Sequence, residues 1–337
     1  MRICIDTRMK DHGGIGTVIK QLVPSLRSSF DCTLINPPVP IYSIREQWIL
    51  PREIPKCDLF WSPHYNIPLL PIRAKKRIVT IHDACHLAMG ASLSWQERLY
   101  AKNMLKWAAS RSDAIVTDSI FSQNELSRYL SLPLSRFRII YPGVDIEKFE
   151  AKGPHQKIKE KYALPDQFFI YIGNVKPHKN LKLILNCYDQ FSPAIPIVII
   201  GKVKGLLNSD PLIKTTTNPK IHFLEQVPDE EIPSFYQMAT ALIFPSYYEG
   251  FGLPPLEAMA AGCPAIVSNR ASMPEVCANA ACFIDPDQPS DLLRAMKQVI
   301  EERDEFVQKG RKRARQFKWE STAEKYIELF RECHEIC

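Results

Sequence analysis

Short apolar runs alternate with stretches of helical periodicity from the first residue onward. Residues 2–6 read as a strand and lead into Gly13-Gly14-Ile15-Gly16. Val18, Ile19, Leu22, Val23 and Leu26 then recur at helical spacing, although Pro24 should kink or shorten that helix. Residues 32–35 and 78–81 are the next strands, the latter ending in His82-Asp83. Residues 94–110 carry a clear helical pattern. A strand at 114–117 follows, then Ser122-x-x-Glu125, which predicts a capping box for the next helix. Residues 137–141 close the series.

Residues 146–166, rich in Lys and Glu and containing Gly153, Pro154 and Pro165, read as a linker and a second start. Strands are then expected at 168–172, 195–200, 221–224, 241–244, 265–267 and 282–284, with helical stretches between them. Continuous apolar strands alternating with helices predict parallel sheets covered on both faces. The expected class is therefore α/β, with two Rossmann-like domains facing a central cleft. The first would span 1–160 and the second 161–318, and a helix over 319–337 would pack back on the first domain. Ligands of such sheets bind beyond the carboxyl ends of the strands.

Length and charge sharpen this picture. A chain of 337 residues suits about two domains, and its 45% hydrophobic and 24% charged residues are ordinary for a globular protein. The net charge of +6 is uneven: residues 1–165 carry +9 and residues 166–337 carry −3. Different partners for the two halves are expected. The longest uncharged run, Ile232 to Tyr248, contains Pro233 and Pro245 and does not read as transmembrane. The first six residues meet an acid at Asp6 and lack the apolar core of a signal peptide. The ten cysteines include no CxxC pair. They read as reduced thiols, and a cytoplasmic protein is expected.

Two stretches carry candidate chemistry. In Phe244-Pro-Ser-Tyr-Tyr-Glu-Gly-Phe-Gly-Leu-Pro-Pro-Leu-Glu257 a strand ends at Pro245 and a helix starts near Pro254-Pro255. The amides at such a helix start, here those of Gly252 and Leu253, attract an anion. Glu249 and Glu257 flank them and suit the sugar and ribose hydroxyls of a nucleoside diphosphate sugar. A glycine turn with two solvated glutamates is the competing reading of that spacing alone. In Ile170-Tyr-Ile-Gly173-Asn174-Val-Lys176-Pro-His-Lys179-Asn180, a lysine beside a helix start can neutralise a phosphate as a point charge. Lys179 is the stronger candidate and Lys176 a helper; a surface lysine in a turn is the competing reading.

Taken together these stretches resemble the retaining glycosyltransferases of family 4, which have the GT-B fold. Glu249 and Glu257 match the family's Glu-x7-Glu motif, and 173–180 its Gly-x5-Lys-Asn segment. Gly13-Gly14-Ile15-Gly16, Ile81-His82-Asp83, Thr117-Asp118-Ser119, Tyr141-Pro-Gly-Val-Asp145, Met273-Pro-Glu275-Val and Trp319-Glu320 fall in the family's order. The resemblance implies that Lys179, with the Gly252 and Leu253 amides, binds the donor diphosphate and that Glu257 binds the ribose. It implies catalytic roles for Glu249, against the donor sugar, and for His82, facing that sugar from the first domain. Gly14 and Gly16 would approach the diphosphate or the acceptor. Many relatives have an Arg where this chain has Asn174, so the donor clamp would lean more on Lys179. The implied reaction is metal-independent and needs no cofactor beyond the nucleotide sugar. GDP-mannose is the first choice of donor, a dTDP- or UDP-sugar the runner-up, and a sugar-nucleotide epimerase a further alternative. The setting implied is bacterial surface polysaccharide or lipopolysaccharide assembly on a glycan or lipid-linked acceptor.

Rival readings of single motifs are weaker. The third glycine of a dinucleotide fingerprint would fall at Ile19. His82 and His86 would form a zinc site only on one helix face, and His82 ends a strand. The basic run 311–315 follows an acidic stretch and reads as a solvated helix face rather than a nucleic-acid site. The 94–110 helix is different. Arg98, Lys102 and Lys106 share a face, among Trp95, Leu99, Tyr100 and Trp107. With Arg73, Lys75, Lys76, Arg77 and the aromatic stretch 59–72 holding Phe60, Trp61 and Tyr65, this face is a candidate for an anionic membrane surface or the acceptor. A core-packing helix with a solvated basic side is the competing reading; if the face meets lipid, the protein sits peripherally on the inner face of the plasma membrane.

Overall fold

The computed structural model describes residues 1–89, 94–187, 195–201 and 220–335. The first sheet is built from β1 (Arg2–Asp6), β2 (Asp31–Ile35), β3 (Cys57–Ser62), β4 (Ala74–Thr80), β5 (Ala114–Thr117) and β6 (Phe137–Ile139). Its helices are α1 (Gly13–Ser29), α2 (Glu46–Glu53), α3 (Cys85–Ala88), α4 (Trp95–Ser110) and α5 (Ile120–Leu130). The strands lie in the order β2-β1-β3-β4-β5-β6, every pair parallel. Parallel strands need crossovers, and buried apolar runs such as Ile78, Val79 and Ile115, Val116 let helices cover both faces.

The second sheet is likewise six-stranded and parallel, in the order β12-β11-β10-β7-β8-β9. Its members are β7 (Phe169–Ile172), β8 (Ile197–Ile200), β9 (Ile221–Leu224), β10 (Leu242–Phe244), β11 (Ala265–Ser268) and β12 (Cys282–Ile284). The accompanying helices are α6 (Ile146–Glu150), α7 (His155–Lys161), α8 (Leu181–Cys187), α9 (Ile232–Met238), α10 (Leu253–Ala260), α11 (Met273–Cys277), α12 (Pro289–Glu301) and α13 (Arg303–Ala314). The core between sheet and helices joins Phe169, Tyr171 and Ile243 to Leu292, Met296 and Val299. Two Rossmann-like halves of α/β class are thus in place.

The division of the chain departs from the expected boundaries. One unit comprises Met1–Gly143 with Phe317–Cys337, and the other Val144–Gln316. The stretch read as a linker is helical: Asp145 caps α6 by accepting from the Lys148 amide, and α6 packs on α9 and α10 of the second unit. The final helix, α14 (Trp319–Glu335), belongs to the first unit and packs on α1 and β3. Tyr326 and Phe330 bring their rings to 5.2 and 5.9 Å from Trp61. Thr80 Oγ1 accepts from Trp61 Nε1 at 3.0 Å and pairs with the Tyr326 hydroxyl at 2.9 Å. A Cβ on Gly143 would meet the Trp319 amide nitrogen at 2.3 Å, so glycine is what lets the chain pass here.

Three local expectations are corrected. Pro24 does not end α1, which runs to Ser29. Pro24 and Lys20, whose carbonyl loses its helical partner, are both on the exposed side, where water can serve it. The cap of α5 is Ser119, which accepts from the Ser122 amide at 2.9 Å; Ser122 itself is buried within the first turn. The stretch 59–72 is not a surface patch. Phe60 and Trp61 are wholly buried in β3, and Tyr65 and Arg77 nearly so. Arg77 donates to the Pro68 carbonyl at 3.1 Å. Burial, then Arg111, lowers its pKa to about 10.

Candidate active site

In the second unit the loops beyond β7, β10, β11 and β12 converge. The β7 loop reaches Lys179 through a single 3-10 turn, Pro177–Lys179, and Asn180 takes a left-handed φ of 53° that its short polar side chain tolerates. Asn180 is buried and donates to the Pro286 carbonyl at 2.9 Å. The Tyr247 amide donates to the His178 carbonyl at 2.7 Å, tying the β10 loop to the β7 loop. Lys179 Nζ then meets both Glu249 oxygens, at 2.6 and 2.8 Å. It also lies 5.2 Å from the Phe244 ring centre. The two side chains are mostly shielded, at 18% and 11% exposure, so water competes weakly for the pair.

Glycine is required where this loop enters α10. Gly252 has φ 99°, and a Cβ there would meet Met273 Cε at 2.3 Å. Pro254 and Pro255 carry no N–H, so the outward-facing amides of this helix start are those of Gly252 and Leu253. The anion site expected from the sequence is therefore narrow. Glu257, one turn in, accepts from the Tyr236 hydroxyl at 3.2 Å. Burial raises its pKa to about 7, against the opposing pull of Tyr236 and Lys148.

Three supporting residues were not among the candidates. Ser272, beyond β11, places its hydroxyl 2.9 Å from both the Glu249 and Phe251 carbonyls and so holds the glutamate loop. A Cβ on Gly201, after β8, would meet the Gly173 carbonyl at 2.0 Å, so this glycine lets the loop after β7 pass close to the end of β8. The Tyr171 hydroxyl is buried and finds no hydrogen-bond partner among the described residues, 3.8 Å from where a Gly173 Cβ would stand. Burial, then the Glu249 charge, moves it well above the usual phenol range. Asn174 is exposed at the loop tip.

The comparisons with known proteins fit this site. Residues 154–317 match the family model of glycosyl transferases group 1, and residues 33–148 that of glycosyltransferase family 4. The chain belongs to glycosyltransferase family 4. It is 28% identical to the O-antigen chain mannosyltransferase B of Escherichia coli, over 85% of this chain and 77% of that one. It is 26% identical to the O-antigen chain mannosyltransferase RfbU of Salmonella typhimurium, over 82% and 75% of the two chains. In fold it resembles Anabaena HepE, solved with UDP-glucose, with a TM-score of 0.79 at 14% identity over 98% of this chain and all of that one. The fold of this glycosyltransferase is thus GT-B.

The transferase's remaining candidates lie in the first unit. His82 follows β4 and has both ring nitrogens engaged: Nδ1 with Asp118 Oδ2 at 2.6 Å and Nε2 with the Pro63 carbonyl at 3.0 Å. A carbonyl only accepts, so Nε2 carries a proton, and Nδ1 faces a carboxylate. Burial alone would lower this pKa, but the charge and hydrogen bond of Asp118, with the Pro63 carbonyl, raise it. The ring thus ties together the ends of β3, β4 and β5. Asp118, 36 residues away, stood only as part of a motif. Gly16 is explained by packing, since a Cβ would meet the Lys10 carbonyl at 2.4 Å. Gly14 is exposed in the first turn of α1. Arg98, Lys102 and Lys106 are exposed on α4, beside Trp95 at 71% and Leu99 at 51% exposure. Among the described residues no His, Cys, Asp and Glu side chains group as a metal site, and no helix is long and apolar enough to cross a membrane.

Proposed function

We propose that this glycosyltransferase is a retaining, metal-independent mannosyltransferase that uses GDP-mannose and extends a glycan or lipid-linked acceptor of a surface polysaccharide. The observation that carries the reading is the Lys179–Glu249 pair at 2.6 Å beside the Gly252 helix start, with Glu257 one turn along. The donor's diphosphate competes for Lys179, and as the lysine turns to it the Glu249 carboxylate is released to the sugar hydroxyls. The relatives named as O-antigen mannosyltransferases support mannose.

In the reaction the bond from the sugar's anomeric carbon to the β-phosphate oxygen breaks and the acceptor hydroxyl bonds to the same face of that carbon. The hydroxyl proton passes to the departing phosphate, giving GDP and the glycoside. Lys179 and the Gly252 and Leu253 amides face the charge that grows on the leaving group, and such preorganised stabilisation is often the largest catalytic contribution. No cofactor beyond the nucleotide sugar enters this scheme. The α4 stripe of Trp95, Arg98, Leu99, Lys102 and Lys106 would rest on an anionic inner-leaflet surface, which supports a peripheral cytoplasmic position.

A thermal-shift panel tests the donor, because a ligand that binds only the folded state raises its stability. GDP-mannose should raise the melting temperature more than UDP- or dTDP-sugars do. The anomeric configuration of the product, read by NMR, should match that of the donor, and EDTA should leave the rate unchanged. A larger shift with UDP- or dTDP-sugars would assign the donor to the other nucleotide.

A further inference from the structure

Beyond the carboxyl ends of the first sheet, next to the His82 pin, five rings gather from three segments of the chain. Tyr42 comes from the loop after β2, His64 and Tyr65 from that after β3, and His86 and Tyr100 from the segment after β4. His64 and Tyr65 form a buried floor, with ring centres 4.4 Å apart and the His86 ring 5.7 Å from Tyr65. Tyr42 stands edge-on to His64 at 5.6 Å. Tyr42 and Tyr100 meet at 6.2 Å and 78°, an open right-angled corner. They are the exposed members, at 48% and 37%.

Both outer rings are held by their hydroxyls, which point inward. The Asn66 amide donates to His64 Nδ1 at 3.1 Å, so the His64 proton is on Nε2, which donates to the Tyr42 hydroxyl oxygen at 3.1 Å. Burial, then His82 and Arg8, lowers the His64 pKa to about 3, which keeps the ring neutral. The Tyr100 hydroxyl donates to Asn66 Oδ1 at 2.6 Å. Asn66 in turn donates to Glu46, which pairs with Arg8 at 2.6 Å, and Arg8 pairs with Asp6 at 2.7 Å, all of them buried. This network fixes the two rings from below. Tyr42 is held at a left-handed φ of 68°, a conformation that disfavours a bulky residue.

We propose that the corner formed by Tyr42 and Tyr100 is the subsite that seats a pyranose ring of the acceptor glycan. With the hydroxyls turned in, only ring faces and edges look outward. Their electron-rich faces suit the polarised C–H groups of a sugar. The formal charges of Asp6, Arg8 and Glu46 are buried beneath, and half-buried Asp83 lies close enough to act on Tyr42 and Tyr65, so a neutral glycan suits the corner better than an anion. Rings already pinned bind with little further loss of freedom. The inference rests on the glycosyl-transfer reading above and adds which residues hold the acceptor.

The test is saturation-transfer NMR and affinity titration with α-mannotriose on the full chain. Ring-proton saturation is expected with the wild type. Tyr42→Ala and Tyr100→Ala should each weaken binding at least tenfold, and Tyr42→Trp, which keeps an aromatic face, should retain most of it. In transfer assays the alanine variants should raise the KM for the trisaccharide about tenfold and change kcat little. No saturation with the wild type, or alanine variants within twofold of it, overturns the subsite. If the wild type binds α-mannotriose as expected but turns over no GDP-mannose, the donor assignment fails and the subsite stands.

Discussion

Glu249 and Lys179 occupy each other before any donor arrives, so their substitutions should differ in kind. Glu249→Gln removes the carboxylate that meets the sugar and also frees the lysine. We expect transfer to fall by roughly 100-fold or more in kcat, while GDP binding holds or tightens; full activity would remove Glu249 from the reaction. Lys179→Ala should instead weaken GDP binding by about tenfold or more in Kd, measured by titration. Glu257 adds a pH dependence. Its carboxyl is raised to about 7 by burial, and two ribose hydroxyls donate best to the ionised form. GDP affinity should therefore rise with pH between about 6 and 8 in the wild type and stay flat in Glu257→Gln. Stability runs the other way: the folded state holds this proton longer than the unfolded chain, so the contribution of Glu257 falls as pH climbs from about 4.5 to about 7. The spacing of Glu249, Glu257 and Lys179 was legible because each lies within one short loop or first helical turn after a strand end. Ser272 and Asp118 were not, since each acts across strands, on a partner 23 or 36 residues away.

At the scale of elements, period and capping chemistry located most helices and strands. The 94–110 helix is the clearest case: Ser94 and Glu97 form a reciprocal capping box at the start of α4. The failures have physical causes. The six-residue strand β3 was hidden because prolines directly follow its apolar run, so that a buried central strand looked like a greasy loop. The cap of α5 was placed three residues late because Ser122 has the glutamate three residues on that a capping box needs and Ser119 does not, whereas the extended backbone of Ser119, at φ −157° and ψ 162°, makes it the cap. On α4 the exposed stripe keeps Arg98, Lys102 and Lys106 but loses the aromatics of 59–72. Changing the three basic residues to Glu should abolish sedimentation with anionic liposomes and leave the melting temperature nearly unchanged. Sedimentation equal to that of the wild type would remove the membrane role.

At the scale of the molecule, the alternation of elements made two Rossmann-like halves legible, but not where the chain crosses between them. That depends on packing. The short helix α6 has too few residues to announce which core it serves, and Gly143 is needed only because the Trp319 backbone passes so close. Ending the chain at Gln316 would strip Tyr326 and Phe330 from Trp61 and leave Thr80 without its hydroxyl partner. Such a chain should lose the melting transition of the first unit and keep the nucleotide response of the second, because residues 144–316 hold their own core. A single unchanged transition would show that α14 is dispensable.

The place of α14 also sets an order of events on the ribosome. The first sheet is synthesised early, yet the helix that covers Trp61 follows only after residues 144–316 have been made. At about 5–20 residues per second that interval is roughly 10–35 s. Throughout it the nascent protein shows an aromatic face with nothing to cover it, while the second unit can already close on itself. The newborn enzyme should therefore acquire its nucleotide-type site before the sheet that carries the acceptor corner is finished, and a chaperone that shields apolar surface has its longest opportunity at Trp61.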